Sequence, residues 1–250
     1  MPGSEKKVLL ITADIHFAAP LLERVEDVRL NPLHLPLESF VLQNNSLFTE
    51  QFPGTLKDIS FISYENLRNA YFFIKWCGIN GFKNHLRQFI HLCLDKPTAN
   101  FLENEDIPAI LPKPGAKPID LLEFILRIST EGTVLSPGTK NRKQELPGLL
   151  QELELPFIEF DICREENINP DTIVSHQNLI TKKRPDLILF HSRSSVNRVE
   201  AAFPAVMSES VIKIAANAGT AQKLISKGYQ PDEIANGTWS SVTDQLEKQI

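Results

Sequence analysis

A strand–loop–helix signature occurs once in each half of the chain. SFISYENLRNA at 60–70 precedes CLDKPTANFLENEDI at 93–107, and LILFHSRSSVNRVEA at 187–201 precedes AANAGTAQKLISKGY at 215–229. The later members align at a constant offset of 122 residues, Thr98, Ala99, Leu102 and Ile107 against Thr220, Ala221, Leu224 and Tyr229. A chain built twice from the same unit folds as two similar domains. The order of elements names their class. Short apolar runs at 8–12, 58–63, 88–94, 133–137, 157–162, 186–192 and 211–217 read as strands. Helix-compatible stretches at 66–76, 118–128, 141–154 and 221–228 lie between them, the last ending on Gly228. Several runs are apolar on both faces, as parallel strands covered by helices are. The expectation is α/β: two similar doubly wound parallel-sheet domains joined by a two-stranded linker, with a ligand cleft between them. Because the first strand and LHLPLESFVL (33–42) precede the first signature, one domain is expected at 1–42 plus 163–250 and the other at 43–162.

Composition narrows the function. With 42% hydrophobic residues and 15 Phe, 250 residues can bury a substantial core. A net charge of −5 argues against a nucleic-acid surface, so an anionic ligand needs a local basic patch. The three cysteines, Cys77, Cys93 and Cys163, have no metal spacing and read as cytoplasmic thiols. The six histidines form no H-x-x-x-H or H-E-x-x-H pattern, and no phosphate-binding glycine fingerprint occurs. No metal, dinucleotide or other cofactor is expected. The apolar run in MPGSEKKVLLITAD stops at Asp14, too short for a signal or membrane segment.

Candidate binding residues lie where strands give way to helices. Ser63 and Ser192 end their strands, and Thr98 and Thr220 open the helices that follow. Hydroxyls and N–H groups at such ends suit carboxylates, although each could simply be a helix cap. The basic patch has two sources. Segment 133–143 carries Lys140, Arg142 and Lys143 with no acid, and segment 182–198 carries Lys182, Lys183, Arg184, Arg193 and Arg198 against Asp186. Lys140, in the loop after a strand, and Arg193, beside Ser192, are the best placed.

FISYENLRN, DKPTANFL, LSPGTKNRKQELPGLL, FIEFDICRE, FHSRSSVNR and NAGTAQKLISKG, in this order, resemble the motifs of uroporphyrinogen-III synthases over nearly the full chain. The loops read Asp95-Lys96-Pro97 and Asn217-Ala218-Gly219 where that family has Gly-Pro. Cys163 stands where the family has a tyrosine often given an acid role. The resemblance implies a cofactor-free lyase that closes hydroxymethylbilane, a linear tetrapyrrole with eight carboxylates. Water leaves, the last pyrrole ring inverts, and uroporphyrinogen III forms. It implies Ser63, Thr98, Ser192 and Thr220 as carboxylate ligands, Lys140, Arg142 and Arg193 as charge, and Cys163 in the tyrosine's place. A cytoplasmic monomer is expected, with no nucleic-acid or membrane partner, since a duplicated chain supplies both halves of its own cleft. The alternative is a non-catalytic sensor or carrier of a tetrapyrrole or other polycarboxylate on the same fold.

Overall fold

The computed structural model describes residues 6–25, 29–43, 50, 52, 54, 56–129, 131–140 and 145–250. Its strands are β1 (Val8–Ile11), β2 (Asn31–His34), β3 (Ser39–Leu42), β4 (Ile59–Tyr64), β5 (Ile90–Cys93) and β6 (Ala109–Ile110). They continue as β7 (Thr133–Thr139), β8 (Phe157–Glu166), β9 (Leu187–Phe190), β10 (Ile212–Ala215) and β11 (Glu233–Ile234). The helices are α1 (Ile15–Val25), α2 (Leu67–Ile79), α3 (Lys96–Asn104), α4 (Pro118–Ile128) and α5 (Glu145–Glu152). After them come α6 (Pro170–Lys183), α7 (Arg193–Ala202), α8 (Ala218–Ser226) and α9 (Trp239–Glu247).

The chain divides into two units, Met1–Ser39 with Glu166–Ile250, and Phe40–Glu165. In the first, five strands lie in the order β11-β10-β9-β1-β2, and every pairing is parallel. Consecutive side chains of a strand point to opposite faces. Leu9, Ile11, Leu187 and Leu189 therefore join a core with Leu21 of α1 and Leu246 of α9. Leu10, Ile188 and Phe190 join a second core with Ile180 of α6, Val196 of α7 and Leu224 of α8. This unit is a parallel sheet wound on both faces.

The second unit repeats the plan with six strands in the order β3-β8-β7-β4-β5-β6. The neighbours from β8 through β6 pair in parallel. Ile62, Tyr64, Leu135 and Phe160 pack with Phe73 and Trp76 of α2 on one face. Phe61, Leu92 and Val134 pack with Leu121 and Ile125 of α4 and Leu150 of α5 on the other. The apolar runs at 8–12, 58–63, 88–94, 133–137, 157–162, 186–192 and 211–217 fall on the seven central strands, of which β4, β7 and β8 extend past their runs to Tyr64, Thr139 and Glu166. β2, β3, β6 and β11 are edge strands of two to four residues with no fully buried position. Helix α1 also escapes a sequence reading because Pro20 lies inside it.

The division between units falls three residues away from the expected 42/43 and 162/163 at each passage. Both passages are strands rather than a free linker. β3 and β8 are neighbours in the six-stranded sheet, and Gln43 N–H donates to Ile162 O at 2.8 Å.

Candidate functional site

In each sheet the strand order reverses once, and there the connections leave to opposite sides and open a crevice at the carboxyl ends. In the first unit the reversal lies between β1 and β9, in the second between β4 and β7. Each predicted residue can be placed against these two edges.

The helices leaving the carboxyl ends start alike. Asn66 caps α2 by accepting from Asn69 N–H, Asp95 caps α3 from Thr98 N–H, Ser192 caps α7 from Ser195 N–H, and Asn217 caps α8 from Thr220 N–H, all between 2.8 and 3.1 Å. In each case the residue three places on is a buried polar one: Asn69, Thr98, Ser195 and Thr220. The duplicated feature is thus a cap with a buried partner. Ser192 caps a helix as its position suggests. Thr98 and Thr220 do not; each lies one turn inside, and Thr220 Oγ1 donates to its cap, Asn217 Oδ1, at 3.1 Å. Ser63 caps nothing. It is buried in β4, with Oγ 2.7 Å from Ser136 Oγ of β7, across the reversal of the second sheet.

Arg193 joins two of these helix starts. Its Nε donates to Gly219 O at 3.3 Å, and its Nη2 lies so close over Gly219 that a Cβ there would stand 2.9 Å away. The exposed guanidinium of α7 therefore rests on the first turn of α8, in which Thr220 follows Gly219. Lys140 is exposed at the end of β7, and its N–H donates to Cys163 O at 2.9 Å. Arg142 lies outside the described residues. Cys163 is fully buried, its Sγ 3.5 Å from Thr139 Oγ1. Lys182, Lys183 and Arg184 end α6 rather than the carboxyl edge, so of the second basic run Arg193 alone stands among the caps.

Two groups at these edges were not singled out from sequence. In the first unit the buried Glu38 carboxylate receives Arg198 Nη1 at 2.8 Å on Oε2. On its Oε1 stand Asp14 N–H at 3.4 Å and His191 Nε2 at 3.1 Å, the imidazole out of line for a hydrogen bond but in range of an ion pair. Arg198 thus neutralises an internal acid, which a buried carboxylate needs. In the second unit Glu65, one residue before the cap Asn66, accepts from Glu145 N–H of α5 at 3.1 Å. Burial, with Glu145 and Glu159 nearby, pushes its carboxyl up to about 7 against the pull of the Glu145 N–H and of Arg68. The available signals were an N-x-x-N, D-x-x-T, S-x-x-S or N-x-x-T pattern at each helix start, and an acid directly after an apolar run.

No family model matches the chain, and no curated protein does. Solved structures do. Uroporphyrinogen-III synthetase from Helicobacter pylori 26695 superposes with a TM-score of 0.66 at 15% identity, covering 98% of this chain and 100% of that one. A mutant uroporphyrinogen III synthase from the extreme thermophile Thermus thermophilus gives 0.55 at 14%, with the same coverage. The fold is that of a uroporphyrinogen-III synthase. Among the described residues, no helix is long and apolar enough to cross a membrane, and no three His, Cys, Asp or Glu gather as metal ligands.

Proposed function

We propose that this chain is a uroporphyrinogen-III synthase, a cyclising lyase that removes water from hydroxymethylbilane and closes it with its last ring inverted. The observation that carries the reading is the synthase fold along 98% of the chain, complete against the Helicobacter pylori protein. The capped helix starts support it: the first N–H groups of a helix have no partner within it and favour anions, and this substrate presents eight carboxylates. In this reading Ser192, Arg193 and Thr220 serve the edge of the first unit, where Arg193 supplies charge against the chain's net −5. Ser63, Thr98 and Lys140 serve the second, and Arg142 is the further cation that the family resemblance implies. The protein works as a cytoplasmic monomer without metal or cofactor, because the bilane closes spontaneously and what must be imposed is its conformation. Positioning is then the main catalytic contribution.

The burial of Cys163 favours a second reading, a non-catalytic tetrapyrrole binder, since a thiol packed on Thr139 is poorly placed to give a proton to a ligand. One experiment separates the two. Freshly made hydroxymethylbilane is incubated with the protein, the products are oxidised, and isomers III and I are resolved by chromatography. Isomer III in excess over the protein-free control is the expected result. Isomer I alone, at the spontaneous rate, rejects the enzyme; retained binding of the bilane would then leave the carrier.

A further inference from the structure

We propose that Glu65 is the general acid that expels water from the bilane, taking the role that the buried Cys163 leaves open; this assignment rests on the synthase reading. Glu65 directly follows β4, at the carboxyl edge of the second sheet where its strand order reverses, between Ser63 and the cap Asn66. Its side chain is held rather than free. One oxygen, Oε1, accepts from Glu145 N–H at 3.1 Å, and among the described residues Oε2 has no hydrogen-bond partner. A carboxyl anchored through one oxygen and open at the other can present its proton in a set direction.

The surroundings raise the share of molecules that hold that proton near neutral pH. The charged groups near Glu65 are Glu145 at the start of α5, Glu159 on β8 and Arg68 on α2. Arg68 would lower the carboxyl, but its guanidinium is stacked 3.8 Å over the Phe40 ring, and burial with two further carboxylates prevails. With its midpoint at about 7, the group is protonated in about half the molecules at neutral pH. An ordinary surface glutamate, near 4.3, would be almost wholly ionised there.

The step balances without a co-reactant. The Glu65 carboxyl gives its proton to the hydroxyl oxygen of the bilane. The C–O bond breaks with its electron pair on oxygen, water departs, and the lone pair of the adjacent pyrrole nitrogen forms the exocyclic double bond. The substituted α-carbon of the last ring attacks the methylene carbon to give a spiro intermediate, its bond to the preceding bridge carbon breaks, and that bridge carbon bonds to the ring's free α-carbon, which closes the macrocycle with the ring inverted. The proton shed when the attacked ring regains aromaticity returns to the Glu65 carboxylate. One water is released and the acid is restored.

Glu65→Gln keeps an oxygen for the Glu145 N–H and removes the proton, so a purely structural role would survive it. The rate of isomer III formation is measured for both proteins from about pH 5.5 to 8.5, with folding checked by circular dichroism. The wild type is expected to lose kcat about tenfold per unit above about pH 7. E65Q is expected to lose kcat at least about 100-fold and to show no such arm, with KM within about twofold. Glu65→Asp should recover part of the rate with the arm moved to another pH. If E65Q keeps wild-type kcat and the same arm while isomer III still forms, the assignment fails and the synthase reading stands. If the wild type yields only isomer I, both fall.

Discussion

His91 shows what burial does to a single side chain in this protein. Its ring is fully buried in β5, with Nε2 2.7 Å from Leu86 O and Nδ1 3.1 Å from Tyr64 Oη. A carbonyl can only accept, so Nε2 carries the proton and Nδ1 accepts from the tyrosine. Burial outweighs the Leu86 carbonyl and pushes the imidazole down to about 4. The unfolded chain, with a histidine near 6.5, binds this proton more readily. The stability tied to neutral His91 is therefore complete above pH ~6.5 and is lost as pH falls towards 4. The expected loss over that window is at most about 3 kcal/mol. Glu65 works in the opposite sense. Its carboxyl is raised, so its contribution is complete below about pH 4.5 and is lost as pH rises through about 7. Urea unfolding at a series of pH values measures both. His91→Gln should flatten the acid side of the profile, Glu65→Gln the neutral side. A profile unchanged by either substitution would remove burial as the cause.

Among elements, the helix starts are the repeated device, and they show where a sequence reading stops. The hydroxyls of Thr98 and Thr220 mark the right turns, but pattern alone puts the cap on the threonine. It lies three residues earlier, on Asp95 and Asn217, because a cap needs extended backbone and the threonine is already helical. The seven central strands were legible because each carries a short run of buried apolar residues, even where polar ones such as Glu159 and Asp161 of β8 interrupt it. The edge strands were not, since none of their positions is fully buried and no buried apolar run marks them. Glu38, His191 and Arg198 come from segments up to 160 residues apart, and nothing local announces that a glutamate in one meets an arginine in another. Gly219 supplies the test at this scale. Gly219→Ala adds a methyl group where Arg193 Nη2 now lies, while alanine is the better helix former by up to about 1 kcal/mol. The variant should melt no lower than the wild type, yet, on the proposed synthase reading, its KM for hydroxymethylbilane should rise severalfold as Arg193 is moved from the start of α8. An unchanged KM would place Arg193 outside the binding surface.

At the scale of the whole molecule, the unit Phe40–Glu165 is one uninterrupted stretch, with a core on each face of its sheet. Expressed alone it should fold, with a cooperative thermal transition by circular dichroism and dispersed amide resonances. A non-cooperative melt would show that β3 and β8, the two strands in which the unit begins and ends, need the rest of the chain. The other unit is in two pieces, and one of its interior strands, β1, is in the first. Ile11 pairs with Leu189, 178 residues later. On a ribosome adding about 5–20 residues per second, that interval is roughly 10–35 s. Throughout it Leu9, Leu10 and Ile11 have β2 for a neighbour and no β9, while all of β4 to β8 is synthesised and can close. The middle of this protein is thus finished before its beginning, and the apolar start of the chain must be kept from aggregating until the last third arrives to cover it.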